Sequence, residues 1–338
     1  MMSVFNKITL TTFLIAAFVF SVFAQQTERD RGIELYKKSD FNAAATVLKK
    51  SVKSGQTDAQ SWYFLGLSYL KIEEEKNAVK ALQKAVQISP NDAPMRNVLA
   101  YAYLVKNDLN NAYKEAQEAI KLDSKTAESH YIIGVVSFRN GSYNSAYEKA
   151  RKAVEINPRI ATAYLLKSES LIASFTKQYG TVNKSSASRS EMLKEAEIDL
   201  QKFLSLIPDS KDSKFYTEYL NSIRFFADYY VRMNDQLPKS DDAASKTADS
   251  VNALKINYKP RASYTDAARR AGVSGTVTLL VGFAADGKIK HVLLLNPLGY
   301  GLNEEAVKAA QNIRYDPAVE NGKPVSVVKQ VQYSFTIY

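Results

Sequence analysis

From Gln25 to Pro208 apolar residues recur with a helical rhythm, and that rhythm repeats every 34 residues. The clearest copy holds Trp62, Leu65, Gly66, Tyr69, Ala78, Leu82, Ala85 and Pro90. Leu99, Ala100, Tyr103, Ala112, Ala116 and Ala119 answer it, with Ser124 in place of the proline; Ile133, Gly134, Ala146, Ala150, Ala153 and Pro158 answer again. Gly32, Leu35, Phe41, Ala44 and Leu48 form a weaker first copy, and a fifth begins at Ala161 and resumes at Ala196, Leu200, Phe203 and Pro208. Each copy predicts two antiparallel helices that approach closely at the small residues. Asp40, Asn107 with Asp108, and Asn140 with Gly141 supply turn chemistry between the paired helices. The polar stretch 179–190 is excess within the fifth copy and reads as a loop or extended helix end, and Lys211 to Val231 reads as a capping helix.

The pattern changes after Val231. Residues 233–252 are polar and lose the helical period, which predicts a linker that tethers the last domain without fixing it. Ser263 to Gly272 predicts a short helix. Thr276 to Phe283 and Ile289 to Leu295 alternate as strands around an Asp286-Gly287 turn, a strong hairpin signal. Leu302, Ala306, Ala310 and Ile313 mark a helix that faces the sheet, with Asn303, Glu304 and Glu305 at its positive end. Asn321-Gly322 then turns the chain toward a final strand, Val327 to Tyr338. Val327, Val331, Tyr333, Phe335 and Ile337 share its core face, and Gln330, Gln332, Ser334 and Thr336 its wet face. No later strand follows to cover it, and an uncovered edge is either protected or used to capture an extended peptide.

The 34-residue copies resemble tetratricopeptide repeats. The fold class expected is an all-α tetratricopeptide solenoid at 25–232, followed by a small α+β domain at 253–338 with a helical layer on one sheet. The repeat register places Tyr63, Leu67, Asn97, Tyr101, Tyr131, Val135 and Arg139 along a groove for a protein or peptide, the alternative for each tyrosine being packing between helices.

In the last domain Tyr264, Ala267-Ala268-Arg269-Arg270-Ala271-Gly272, Gly275-Thr276-Val277, Asp286-Gly287-Lys288, Glu305-Ala306, Ile313-Arg314-Tyr315-Asp316-Pro317-Ala318 and Gly322-Lys323-Pro324-Val325 together resemble the carboxy-terminal domain of the TonB family. Thr265 stands where that family usually has proline, and Ile313 where it usually has tryptophan. The resemblance implies a domain that grips a short extended box at the amino terminus of an outer-membrane transporter by strand addition. It carries that role to the strand Val325 to Ile337, and within it to Lys329, Gln330, Val331, Gln332 and Tyr333. A full transducer also needs a motor-coupled anchor and a proline-rich span, whereas the nine prolines here are dispersed.

Composition and charge add the setting. Residues 1–24 carry Lys7, an apolar run from Ile8 to Phe23 and a small-x-small site ending at Ala24, as in a secretory signal peptide; the alternative is an uncleaved inner-membrane anchor. With no cysteine among 338 residues, neither a disulfide framework nor a lipid-modified cysteine is expected, and a periplasmic or cell-surface destination fits. The net charge of +10 would then meet anionic lipid or cell-wall polymer rather than nucleic acid. His130 falls at a packing position and His291 in a different domain, so no metal or cofactor is expected; no catalytic constellation appears. Two functions stay open: a TonB-like transducer or accessory that engages transporters, and a periplasmic scaffold whose last domain binds cell wall or another protein without transducing energy.

Overall fold

The computed structural model describes residues 28–53, 58–179, 186–210, 212–236 and 251–336. The expected export segment, 1–24, and most of the expected linker lie outside these residues. The chain divides into two compact units, Met1–Ile132 and Ile133–Tyr338.

The first unit contains helices α1 (28–37), α2 (Phe41–Ser51), α3 (Ala59–Lys71), α4 (Glu75–Ile88), α5 (Ala93–Val105), α6 (Leu109–Leu122) and the start of α7 (Ala127–Arg139). The repeat is legible atom by atom. Ala44, Ala78, Ala112 and Ala146 stand 34 residues apart and are fully buried. A Cβ at Gly66 would lie 2.5 Å from Leu82 Cγ, and one at Gly32 would lie 2.5 Å from Leu48 Cγ, so the paired helices touch where sequence supplies no side chain. Aspartate caps open the helices: Asp58 accepts from Ser61 N, Asp92 from Met95 N and Asp108 from Asn111 N. The turn before the second helix of each pair holds a left-handed residue at the same period, namely Ser39, Glu73, Asn107 and Gly141, with φ of 63°, 59°, 62° and 72°.

The second unit contains the rest of α7, α8 (Tyr143–Ile156), α9 (Ala161–Tyr179), α10 (Ser186–Leu206), α11 (Ser213–Gln236) and the last domain. Much of the excess sequence in the fifth copy is helical, because α9 has 19 residues and α10 has 21, against 14 in α8. Ser168, at the small-residue position, donates its hydroxyl to Ala196 O at 2.8 Å.

The last domain comprises β1 (Val251–Asn252), β2 (Lys255–Tyr258), α12 (Asp266–Arg270), β3 (Gly275–Phe283), β4 (Ile289–Asn296), α13 (Leu302–Gln311), β5 (Arg314–Asp316), β6 (Ala318–Glu320), β7 (Lys323–Val325) and β8 (Val327–Phe335). The expected short helix, hairpin, helix and final strand are α12, β3–β4, α13 and β8. The main sheet is antiparallel in the order β4-β3-β8, while β1-β6-β7 and β2-β5 form two small accessory sheets. Asn321-Gly322, expected to lead into the final strand, instead closes the β6–β7 hairpin, both residues lying at positive φ. Val325 therefore ends β7, and β8 starts after Ser326. Thr265, in place of the family's proline, caps α12 by accepting from Ala268 N, and Ile313, in place of tryptophan, is buried.

One hydrophobic core joins Ile172, Leu200, Ile223 and Phe226 to Val277, Leu279, Leu293 and Ala306. The last domain is thus packed on α9 and α11, which differs from the loose tether that the polar stretch 233–252 suggests.

Candidate functional site

Both edges of the β4-β3-β8 sheet can be followed. The outer edge of β4 is occupied by α11: Tyr219 donates its hydroxyl to Leu294 O at 3.1 Å, Ser222 Oγ accepts from Val292 N at 3.3 Å, and Phe225 stacks on His291 at 4.1 Å. These side chains satisfy backbone groups that an open edge would leave free. Burial first, and the charge of Lys290 second, lower the His291 pKa, which favours a neutral ring against Phe225.

The other edge belongs to β8, which pairs with β3 in unbroken register from Gly275↔Phe335 to Phe283↔Val327 and pairs with no second strand among the described residues. Lys259 Nζ donates to Gln332 O at 2.6 Å, which shows that this carbonyl faces away from β3. Alternation then turns the backbone groups of Gln330, Gln332 and Ser334 outward and those of Lys329, Val331 and Tyr333 toward β3. The Thr276 carbonyl accepts from Asn296 Nδ2 on the β4 side, as the same parity requires. Of the five edge residues expected from sequence, Lys329, Gln330 and Gln332 are exposed, whereas Val331 and Tyr333 are buried against the core. The expected core face is occupied by Val331, Tyr333 and Phe335, with Val327 partly buried; Ile337 lies outside the described residues.

A cleft of about 720 Å³ runs beside this edge. Its strand wall is Gln332 to Thr336, and its opposite wall is Lys259 to Ala262 with Tyr264 and Arg269. Lys259 also sits 4.6 Å from the centre of the Tyr333 ring. The Tyr333 hydroxyl is buried without a hydrogen-bond partner, and burial pushes its pKa up to about 12. Tyr264 and Arg269 carry part of the family resemblance, but nothing in the linear pattern joins Lys259 to Gln332, because their contact spans 73 residues.

The residues expected in the repeat groove divide between the two units. In the first, Tyr101 is exposed, while Tyr63, Leu67, Asn97 and Tyr131 are partly buried. Asn97 Oδ1 accepts from Ser129 Oγ at 2.9 Å, and the ring of Tyr63 lies 5.5 Å from that of Phe64. In the second, Val135 is partly buried, and Arg139 donates to Tyr300 OH at 2.8 Å with its guanidinium 4.8 Å from that ring. Tyr143 donates to Asn296 Oδ1 at 2.8 Å, so the α7–α8 turn holds the 296–300 loop at two points.

Comparisons with known proteins agree with both halves. Residues 260–337 match the family described as Gram-negative bacterial TonB protein C-terminal, and residues 29–93 and 97–167 match the tetratricopeptide repeat. Among solved structures, the chain is similar to the MamA protein at 22% identity, over 56% of this chain and 94% of that one, with a TM-score of 0.43. A thermophilic tetratricopeptide protein of Thermus thermophilus matches at 20% identity over 60% of this chain and 99% of its own, with a TM-score of 0.45. PilF of Pseudomonas aeruginosa matches at 16% identity over 65% and 95%, with a TM-score of 0.48. These likenesses are too distant to bear on function. A search of curated proteins finds no match. Both kinds of domain are protein-interaction folds, and no helix among the described residues is long and apolar enough to cross a membrane. The chain carries tetratricopeptide repeats followed by a TonB-type carboxy-terminal domain.

Proposed function

We propose that the chain is an exported protein-binding protein whose last domain captures an extended peptide along the outer edge of β8, the family resemblance pointing to the amino-terminal box of an outer-membrane transporter. The observation that carries this reading is the contrast between the two sheet edges: α11 occupies that of β4, while that of β8 faces a cleft. Gln330, Gln332 and Ser334 would form the new ladder, and Lys259 would leave Gln332 O as the strand enters. The repeats would hold a second protein partner. In a binding assay, fluorescently labelled amino-terminal peptides of outer-membrane transporters should bind the full chain saturably, and should lose binding when alternate peptide amides are N-methylated. Equal binding by the methylated peptides would contradict strand addition.

A second reading, a periplasmic scaffold that does not transduce energy and whose last domain clips to another protein or to cell wall, draws support from the core shared by that domain and α9–α11. A domain packed on helices is poorly suited to being pulled away on a long span. The mature amino terminus tests whether the chain could act as an anchored transducer. Cleavage after Ala24 would release the chain into the periplasm, whereas an intact Met1 would leave it anchored.

A further inference from the structure

Helix α3 presents two faces. Tyr63 and Leu67 lie on the groove stripe, while Trp62, Leu65 and Tyr69 form a stripe about 150° away at 100° per residue. On that second face, α2, α3 and α4 line an open pocket of about 580 Å³. Its floor is apolar: Leu65 and Ala81 are 2% exposed, and Val52, Trp62 and Tyr69 complete it. Lys49, Lys53, Lys80 and Lys84 rim it, and no carboxylate among the described residues lines it. All four lysines are exposed, and none forms an ion pair among the described residues; Lys84 alone has a side-chain partner, Gln87 Oε1 at 3.0 Å. Some cations of the repeats do sit beside glutamate, as at Lys38–Glu34, Lys121–Glu118 and Arg151–Glu155. What marks this place is that four such lysines surround one apolar floor.

We propose that this pocket is a second docking site, separate from the β8 edge and from the groove stripe, and that it takes an acidic protein segment bearing one bulky apolar side chain. The apolar side chain would enter against Trp62 and Leu65, and the segment's carboxylates would meet the lysines. Charge complementarity selects this occupant. A pocket of this size accommodates a few side chains. Asn77, Gln83 and Gln87 also line it, and their amides carry both donors and acceptors that a peptide backbone can use.

Trp62 is the only tryptophan in the chain, so its emission reports on this site alone. The full chain is titrated with a tryptophan-free peptide in which Asp and Glu flank a single Phe, and with its Lys-flanked counterpart. The acidic peptide should shift Trp62 emission to the blue saturably, and binding should weaken with salt. K80E/K84E, with helicity checked by circular dichroism, should weaken it by about tenfold or more. Q330P, at the β8 edge, should leave it unchanged, so this site and the strand-addition reading fail separately. An unmoved Trp62 spectrum at saturating peptide would overturn the proposal. So would equal affinity for the Lys-flanked peptide, or a response to phosphatidylglycerol vesicles with none to the peptide.

Discussion

Lys259 spans 73 residues of sequence to place its ammonium 2.6 Å from the carbonyl oxygen of Gln332. That carbonyl belongs to a strand whose other side is fully paired, so the lysine occupies an acceptor that an incoming strand would use. A single exposed hydrogen bond of this kind contributes about 1 kcal/mol. K259A should therefore tighten the binding of an extended peptide by roughly threefold to tenfold, measured by fluorescence anisotropy. Weaker binding in K259A would mean that Lys259 contacts the peptide rather than competing with it.

Proline at position 330 tests the edge from the other side. It removes an outward N–H without touching the β3 ladder, and proline is tolerated at strand edges. Q330P should abolish capture of the transporter peptide while the thermal midpoint changes by only a few degrees. A comparable loss of binding in Q330A would point to the side chain instead.

The recurrent left-handed turn makes opposite predictions at two of its copies. Ser39 adopts φ of 63° with a side chain that disfavours it, whereas Gly141 adopts 72° with none, and a Cβ there would meet nothing within 4 Å. S39G should stabilise by about 0.5–1 kcal/mol, and G141A should destabilise by about 1 kcal/mol. Urea denaturation with unchanged slope measures both.

Glu169 of α9 gives the last domain's seat a pH dependence. Burial first, and the charge of Glu304 second, push its pKa up to about 8 from an ordinary 4.5. Glu304 is itself raised, chiefly by burial, with Asp212 and Glu305 adding to the effect, and its Oε2 is buried without a partner; Tyr219 lies beside Glu169 as well. A raised carboxyl binds its proton more tightly in the folded state. Its contribution is fully present below about pH 4.5 and is lost as pH rises toward about 8. His291, depressed by burial, has the opposite trend at lower pH, so the comparison with E169Q isolates the glutamate. Between pH 5 and 8.5 the thermal midpoint of the wild type should fall relative to that of E169Q. Parallel curves would exclude the assignment.

Lys167 and Asp199 form a buried pair, 2.8 Å apart, between α9 and α10. Burial raises the Asp199 pKa even though Lys167 opposes it, so removing the lysine leaves a costly carboxylate. K167M should cost about 3 kcal/mol and K167M/D199L considerably less, because the double change removes both charges. Equal losses would show that packing against Lys167, not its charge, is what matters.

The legible part of the fold was what repeats or alternates. Ala44, Ala78, Ala112 and Ala146 declare the helix contacts because only small residues fit there, and Val331, Tyr333 and Phe335 declare the core side of β8 because period two admits one register. The accessory strands β1, β2 and β5–β7, two to four residues each, are too short to show alternation. Ser39 and Glu73 do not advertise left-handed turns, since the surrounding helices impose that conformation. At the candidate site, the edge and its outward residues Gln330 and Gln332 could be read from the chain, but Lys259 could not. Nor could the use of Tyr219 and Ser222 to close the opposite edge, which depends on two elements meeting only in the folded protein.

Hydrogen exchange resolved to single amides, on the full chain with and without a transporter amino-terminal peptide, tests the central claim most directly. Capture along β8 predicts new protection at Gln330, Gln332 and Ser334, with Lys329, Val331 and Tyr333 little changed because β3 already holds them. Saturating peptide that leaves those three outward amides exchanging at their original rates would contradict it.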